Sequence, residues 1–110
     1  MAVIIKITAP GALLEKIKKA IDEQTVDSWS YDKDDDFTYT QMEWIGRAFF
    51  RPEVYEGELR FGLRKPETRD VTKEIYSVYH GRFIEMLLIH FENEFTTAEA
   101  TAQKTEPDNY

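Results

Sequence analysis

The longest apolar stretch of the chain, residues 71–95, is the sequence feature that most constrains its fold. No other stretch is long enough to form a major helix, and the protein's only two histidines lie within it. Large apolar residues recur here every four positions, which places them on one face of a helix. The pattern therefore predicts a long helix with a core-facing stripe, formed by Tyr79, Phe83, Leu87 and Phe91 and extended toward the N-terminus by Ile75 and Tyr76.

Shorter patterns precede this helix. Apolar alternation and helical periodicity indicate, in chain order, a strand, an amphipathic helix and three strands, at residues 3–7, 12–23, 25–31, 47–51 and 58–64. Residues 37–44 fit either a hairpin strand or a short helix capped by Thr40, with Glu43 at the capping-box spacing. The order β-α-β-β-β-α predicts an α+β fold. We expect a single, mostly antiparallel sheet of about four strands with two helices packed on one face.

The 110 residues are enough for one domain, which we expect to span residues 1–95. Residues 96–110 contain no large aliphatic side chain. Burial of such a segment cannot offset the entropy lost on ordering it. The sequence therefore predicts a disordered, acidic C-terminal tail.

Composition narrows the function classes. The formal net charge of −7 makes nucleic-acid binding unlikely as a general activity, since that activity relies on neutralising phosphates. The absence of cysteine excludes disulfides, thiol nucleophiles and zinc sites built on thiolates. No basic leader precedes the first strand, and no apolar run reaches membrane-spanning length. These features predict a cytoplasmic protein with no membrane partner, and no motif calls for a cofactor.

One candidate site is the sheet face opposite the helices. Alternation along the third and fourth predicted strands places arginines and an aromatic ring on that outer face. The candidate residues are Arg47, Phe49, Arg51, Arg60 and Arg64, joined by Trp29 and Tyr31 from the second strand. Arginine interleaved with aromatics can bind carboxylates, phosphates or bases. The alternative is that these arginines pair with neighbouring carboxylates and only make the sheet soluble.

A second candidate is the acidic loop after the second strand. Asp32, Asp34 and Asp36 have the first side-chain spacings of a calcium-binding loop, and Glu43 stands at its twelfth position. Phe37, however, replaces the glycine that such loops need, and a strand stands in place of the entering helix. The alternative interpretation is an acidic hairpin turn.

A third candidate lies at the centre of the long helix. Gly81 costs about 1 kcal/mol against alanine in a helix interior, which suggests a close backbone approach or a kink. His80, Arg82 and Glu85 would then form an acid–base group near that approach. The alternative is a structural histidine near the helix start, with Arg82 paired to Glu85 or Glu74. We favour it because no nucleophile is adjacent.

Several segments together resemble short bacterial proteins of unknown function, of the kind encoded by integron cassettes. They are Trp29-Ser-Tyr-Asp-x-Asp-x-Asp-Phe-Thr, Trp44, Arg51-Pro52 and the run Tyr-His-Gly-Arg-Phe-Ile-Glu-Met-Leu-Leu at residues 79–88. The resemblance covers roughly residues 25–95. It implies a bacterial, cytosolic origin and assigns no activity and no site.

The sequence favours a non-catalytic binding or interaction module that self-associates as a homodimer and can also bind another protein. The wide apolar arc of the long helix and the arginine-aromatic face motivate this hypothesis. Two alternatives remain at this point. One is a small metal-dependent hydrolase or nuclease-like enzyme, which needs His80 to face Asp34 or Asp36. The other is a module stabilised by calcium at the acidic loop.

Overall fold

The structure is a computed structural model that describes residues 1–110. It contains two helices, α1 (Pro10–Asp22) and α2 (Lys73–Phe91), and a short 3-10 helix at Met42–Trp44. The six strands are β1 (Val3–Lys6), β2 (Trp29–Tyr31), β3 (Phe37–Tyr39), β4 (Phe49–Tyr55), β5 (Glu58–Arg64) and β6 (Thr97–Ala100). Neither helix is both long enough and apolar enough to cross a membrane.

All strands belong to one antiparallel sheet with the order β2-β3-β4-β5-β1-β6. The β4–β5 hairpin is its longest paired region, with seven residue pairs from Phe49↔Arg64 to Tyr55↔Glu58. Pro52 lies inside β4 although proline has no N–H to donate. It is tolerated because β3 pairs with β4 only at Phe50, so Pro52 lies where one side of β4 is a free edge.

Both helices pack on the same face of the sheet. A single hydrophobic core joins Leu13 and Ile17 of α1 to the inner side chains of the strands and to the buried side of α2. The predicted helical stripe is confirmed for its buried members, Ile75, Tyr79, Phe83, Leu87 and Phe91, whereas Tyr76 is only partly buried against the core. Phe83 lies at the centre, with its ring centroid 4.5 Å from that of Phe61 and 4.9 Å from that of Trp29.

The α+β class, the single antiparallel sheet and the two helices are as predicted, but the sheet has six strands and not about four. One extra strand comes from the ambiguous segment 37–44. It forms β3 and then the 3-10 helix, so each alternative is correct for part of the segment. The other extra strand is β6, in the region predicted to be a tail.

Residues 96–110 do not form a disordered tail in this structure, which corrects the prediction. β6 pairs with β1 along four residues, and residue 109 forms a parallel bridge to Arg64. The composition argument failed because it counted only apolar side chains. Backbone N–H and C=O groups at an open sheet edge bind a polar segment equally well.

Helix α2 begins after Thr72, whose hydroxyl accepts a hydrogen bond from the Ile75 N–H at 3.3 Å and caps the helix. The close backbone approach predicted at Gly81 is absent. A side chain built at Gly81 would meet no atom within 4 Å. The glycine that does accommodate a close approach is Gly62 on β5, where a Cβ would lie 2.6 Å from the Pro107 backbone.

Candidate functional site

The outer sheet face, on the side away from the helices, gathers several of the predicted binding residues. Alternation along β4 and β5 places Phe49, Arg51, Arg60 and Arg64 on this side, while Phe50, Leu59, Phe61 and Leu63 enter the core. Cross-strand register sets Phe49 opposite Arg64 and Arg51 opposite Gly62. The structure therefore brings together four of the residues that the sequence assigned to this face.

A hollow of about 280 Å³ opens at one end of this face. Its floor comes from the start of β4 and the end of β5, and its walls come from the β2–β3 turn and the segment after β5. The lining residues are Asp32, Asp36, Phe49, Arg51, Arg64, Lys65, Pro66 and Glu67. Three cations (Arg51, Arg64 and Lys65) and three carboxylates (Asp32, Asp36 and Glu67) thus face one small cavity with an aromatic ring and a proline.

The two arginines of the hollow have different electrostatic roles. Arg51 makes two 2.7 Å hydrogen bonds to the Asp36 carboxylate, and this pairing raises the pKa of Arg51. Arg64 has no ion-pair partner, although it is only partly exposed. Lys65 is 3.5 Å from Asp70, a carboxylate that is 93% exposed and therefore weakly attracted through water. Positive charge available to a ligand is thus concentrated at Arg64.

Arg60 lies further along the same face and is already occupied. Its Nε donates to Glu58 at 2.9 Å, and its guanidinium lies over the Tyr55 ring at 4.7 Å. Glu58 also accepts from Lys6, and these two donors lower the pKa of Glu58. Arg60 therefore fits the interpretation in which outer-face arginines pair with neighbouring carboxylates.

Three predicted members of this face lie elsewhere. Trp29 is buried in the core, and Tyr31 points to the same inner side, where its hydroxyl donates to Asp22 of α1 at 2.7 Å. The sequence correctly placed Trp29 and Tyr31 on one side of β2, but it assigned that side to the outer face of the sheet and not to the inner one. Arg47 precedes β4 and donates to the Glu43 carbonyl at 3.3 Å, within the loop that follows the 3-10 helix.

The acidic loop is organised as a turn. Asp32 Oδ1 accepts hydrogen bonds from the N–H groups of Asp34 and Asp36, at 2.9 and 3.0 Å. Asp36 is in turn held by Arg51. No group of three or more histidine, cysteine, aspartate or glutamate side chains is arranged to hold a metal ion, so the predicted ligands Asp32, Asp34, Asp36 and Glu43 do not converge. The local geometry matches the hairpin-turn alternative.

His80 is buried against the core, with its ring centroid 5.1 Å from that of Phe50. Its Nδ1 is 2.6 Å from the Tyr76 carbonyl oxygen, and its Nε2 contacts the Met1 carbonyl. Burial lowers the pKa of His80, and the two carbonyl contacts offset only part of that effect. The hydrolase alternative needs this imidazole to face Asp34 or Asp36, and its contacts do not meet that requirement.

Arg82 and Glu85 lie on the opposite, exposed side of α2 and pair with each other at 3.0 Å. They line a shallow hollow of about 300 Å³ together with Ser77, Val78 and Gly81. The acid–base group predicted from His80, Arg82 and Glu85 is therefore not assembled, because the helix separates the histidine from the other two residues.

Sequence reasoning missed three residues of the sheet-face hollow, namely Lys65, Pro66 and Glu67. The signal that marks them is the adjacent basic pair Arg64-Lys65 at the end of a strand, directly before a proline. A segment that leaves a strand at this point must cross the rim of the outer face, and there it forms a wall of the hollow.

Comparison of the chain with models of protein families, with curated proteins and with solved structures finds no match. The resemblance to short bacterial proteins of unknown function accordingly stays a prediction. The functional argument for this chain rests on its own geometry.

Proposed function

We propose that this protein is a small, non-catalytic interaction module that binds an acidic segment of a partner protein at the outer face of its sheet. The observation that carries the proposal is the unpaired guanidinium of Arg64 beside Phe49 in an open hollow. A partner carboxylate placed there can accept two parallel hydrogen bonds from the guanidinium. The aromatic and proline walls reduce the water around that contact and so strengthen it.

The charge distribution supports an acidic ligand despite the net charge of −7. Asp36, the carboxylate nearest to Arg51, is already neutralised by that arginine. Residues 44–91, which supply β4, β5 and the following segment, carry eight basic against seven acidic side chains. This segment is less acidic than the chain as a whole, and Arg64 alone among the three cations of the hollow has no ion-pair partner, which favours a single well-placed acidic group over a long polyanion.

A titration of the labelled chain with an acetylated Glu-Asp-Glu-Asp peptide, followed by amide NMR shifts, tests this proposal. We expect shifts at Phe49, Arg64 and Lys65, and an affinity about ten- to a hundredfold lower for Arg64→Ala, because a charge-assisted pair contributes about 1.5–3 kcal/mol. Arg69→Ala removes the same charge from an exposed site outside the hollow and should bind as the wild type does. Equal loss in both variants, or tighter binding of an oligothymidine, would contradict the proposal.

We also propose that the module self-associates through the outer side of α2. Leu88 and Ile89 are 53% and 63% exposed there, beside the hollow lined by Gly81, Arg82 and Glu85. A two-fold interface presents the same patch on both copies. Under that symmetry, Arg82 of each copy can face Glu85 of the other, so the patch is complementary to itself. Sedimentation equilibrium tests this point, and a monomer at millimolar concentration would contradict it.

A further inference from the structure

The last ten residues, 101–110, form a strap that returns across the edge of the sheet after β6. The strap runs beside the end of β5, at the point where β1 no longer covers it. The Asn109 N–H donates to the Leu63 carbonyl at 2.9 Å, and Arg60 donates to the Glu106 carbonyl at 2.9 Å. The strap therefore binds β5 as an added strand segment, which is a known mode of peptide recognition.

The groove under the strap is shaped for a proline. Pro107 lies directly over Gly62, and a Cβ at position 62 would come within 2.6 Å of the Pro107 carbonyl carbon and oxygen. Any other residue at position 62 would push the strap away from the sheet. The absence of a side chain on Gly62 is thus the steric condition for this contact.

The groove also selects an aspartate. The Asp108 carboxylate is fully buried and accepts hydrogen bonds from the N–H groups of Leu63, at 2.6 Å, and Thr105, at 2.8 Å. It also contacts the amino group of Met1. A buried carboxylate is stable only with several such donors. Tyr110, the one large apolar side chain of the strap, packs half-buried against the core.

We propose that this groove is a peptide-binding site that also accepts the strap of a second copy, so that two copies exchange straps reciprocally. This inference is separate from the proposed α2 contact, because the strap binds β5 and the amino group of Met1 and does not touch the Leu88–Ile89 patch. Residues 102–104 between β6 and the anchored part are exposed, and the chain is redirected there once the contacts of the Gln103 carbonyl with Thr101, Thr105 and the Met1 amino group are broken. A second copy brings the same proline, aspartate and tyrosine, so the groove binds it with the same contacts.

Closure within one chain competes with this exchange. A short flexible linker gives the strap an effective concentration on the order of millimolar, so the closed form prevails at lower protein concentration. A decisive experiment must therefore prevent each copy from closing on itself. It must also remove the proposed α2 contact. Both variants of the experiment therefore carry Ile89→Glu in addition to their own substitution.

In this background, one variant carries Gly62→Val, which blocks the groove and leaves the strap intact. The other carries Asp108→Ala, which leaves the groove open and removes the main anchor of the strap. We expect each variant alone to sediment as a monomer. We expect an equimolar mixture to form a complex of one copy of each, because the intact strap of the first fits the open groove of the second.

A labelled peptide of residues 101–110 gives an independent measurement against the full-length Asp108→Ala chain. We expect binding at least about tenfold tighter than that of the same peptide with alanine in place of the aspartate. Because this measurement does not need Gly62→Val, it decides the question if that variant fails to fold. A monomeric mixture together with no peptide binding would overturn strap exchange. Sedimentation of Ile89→Glu with an otherwise unchanged chain, compared with the wild type, decides the α2 proposal separately.

Discussion

The side chain of His80 shows how the surroundings of a residue set its role. A neutral imidazole has one N–H, so it can donate to the Tyr76 carbonyl or to the Met1 carbonyl but not to both. Protonation would satisfy both carbonyls at the cost of a buried charge. Burial outweighs this gain and lowers the pKa of His80. The residue therefore joins α2 to the start of the chain as a neutral histidine.

This environment predicts a pH-dependent stability. Because the pKa of His80 is lower in the folded state, the unfolded chain binds more protons near and below the ordinary histidine value of about 6.5. Stability should therefore fall on acidification from about pH 7.5 to about pH 5.5. The Met1 amine and Asp108, which also act on His80, adjust the size of the effect but not its direction.

Melting temperatures across this pH range test the prediction in His80→Gln, whose side chain stays neutral. We expect a shallower loss of melting temperature than in the wild type. His90→Gln removes the other, exposed histidine and should keep the wild-type slope. If His80→Gln keeps that slope as well, other groups control the acid sensitivity.

Helix α2 is the element that organises the core, yet it is not amphipathic in the usual sense. Its inner side is apolar except for His80 and the Tyr79 hydroxyl, and its outer side carries Leu88 and Ile89 between Glu85 and Glu92. Large apolar side chains left exposed on the outer side favour a second apolar contact beyond the sheet. This property of the element motivates the proposed interface.

The double substitution Leu88→Glu with Ile89→Glu places two like charges on that patch. We expect the dissociation constant of self-association to rise by at least about a hundredfold, because about 1.4 kcal/mol corresponds to each tenfold change and two apolar contacts are lost. Analytical ultracentrifugation measures this change. Val54→Glu is the matched control, since Val54 is 52% exposed on β4 and lies outside the patch. An equal effect in the control would place the interface elsewhere.

At the scale of the whole molecule, the sheet is completed by the end of the chain. β6 covers the free edge of β1, and the strap covers the part of β5 that β1 leaves open. These additions remove two unpaired sheet edges, which would otherwise be sites of aggregation. They also place the chain's own C-terminal segment beside Arg64.

Loss of the strap anchor should destabilise the whole domain. Asp108→Ala leaves the Leu63 N–H without its acceptor, and we expect the free energy of unfolding to fall by about 1–3 kcal/mol. Urea denaturation measures the difference. Glu106→Ala removes an exposed side chain of the same strap and should change stability by less than about 0.5 kcal/mol. An unchanged stability in Asp108→Ala would mean that the strap is not held as described.

The site was predictable from the sequence only in strands whose apolar residues show which side faces the core. Arg51 and Arg64 were placed on the outer face because Phe50, Phe61 and Leu63 fix which side of β4 and β5 is buried. In β2, alternation paired Trp29 with Tyr31, but a three-residue strand offers no independent sign of its inner side. Packing of the rings of Tyr79 and Phe83 against Trp29 decided that side.

The sequence by itself determined the fold class, the buried stripe of α2 and the arginine face of the β4–β5 hairpin. Each of these follows from side-chain periods of 3.6 or 2, which depend on local backbone geometry. The tertiary structure decided that His80 is buried, that the acidic loop lies away from His80 and that Pro107 packs on Gly62. It also decided the docking of residues 96–110, because backbone hydrogen bonding at an open sheet edge leaves no mark in side-chain composition.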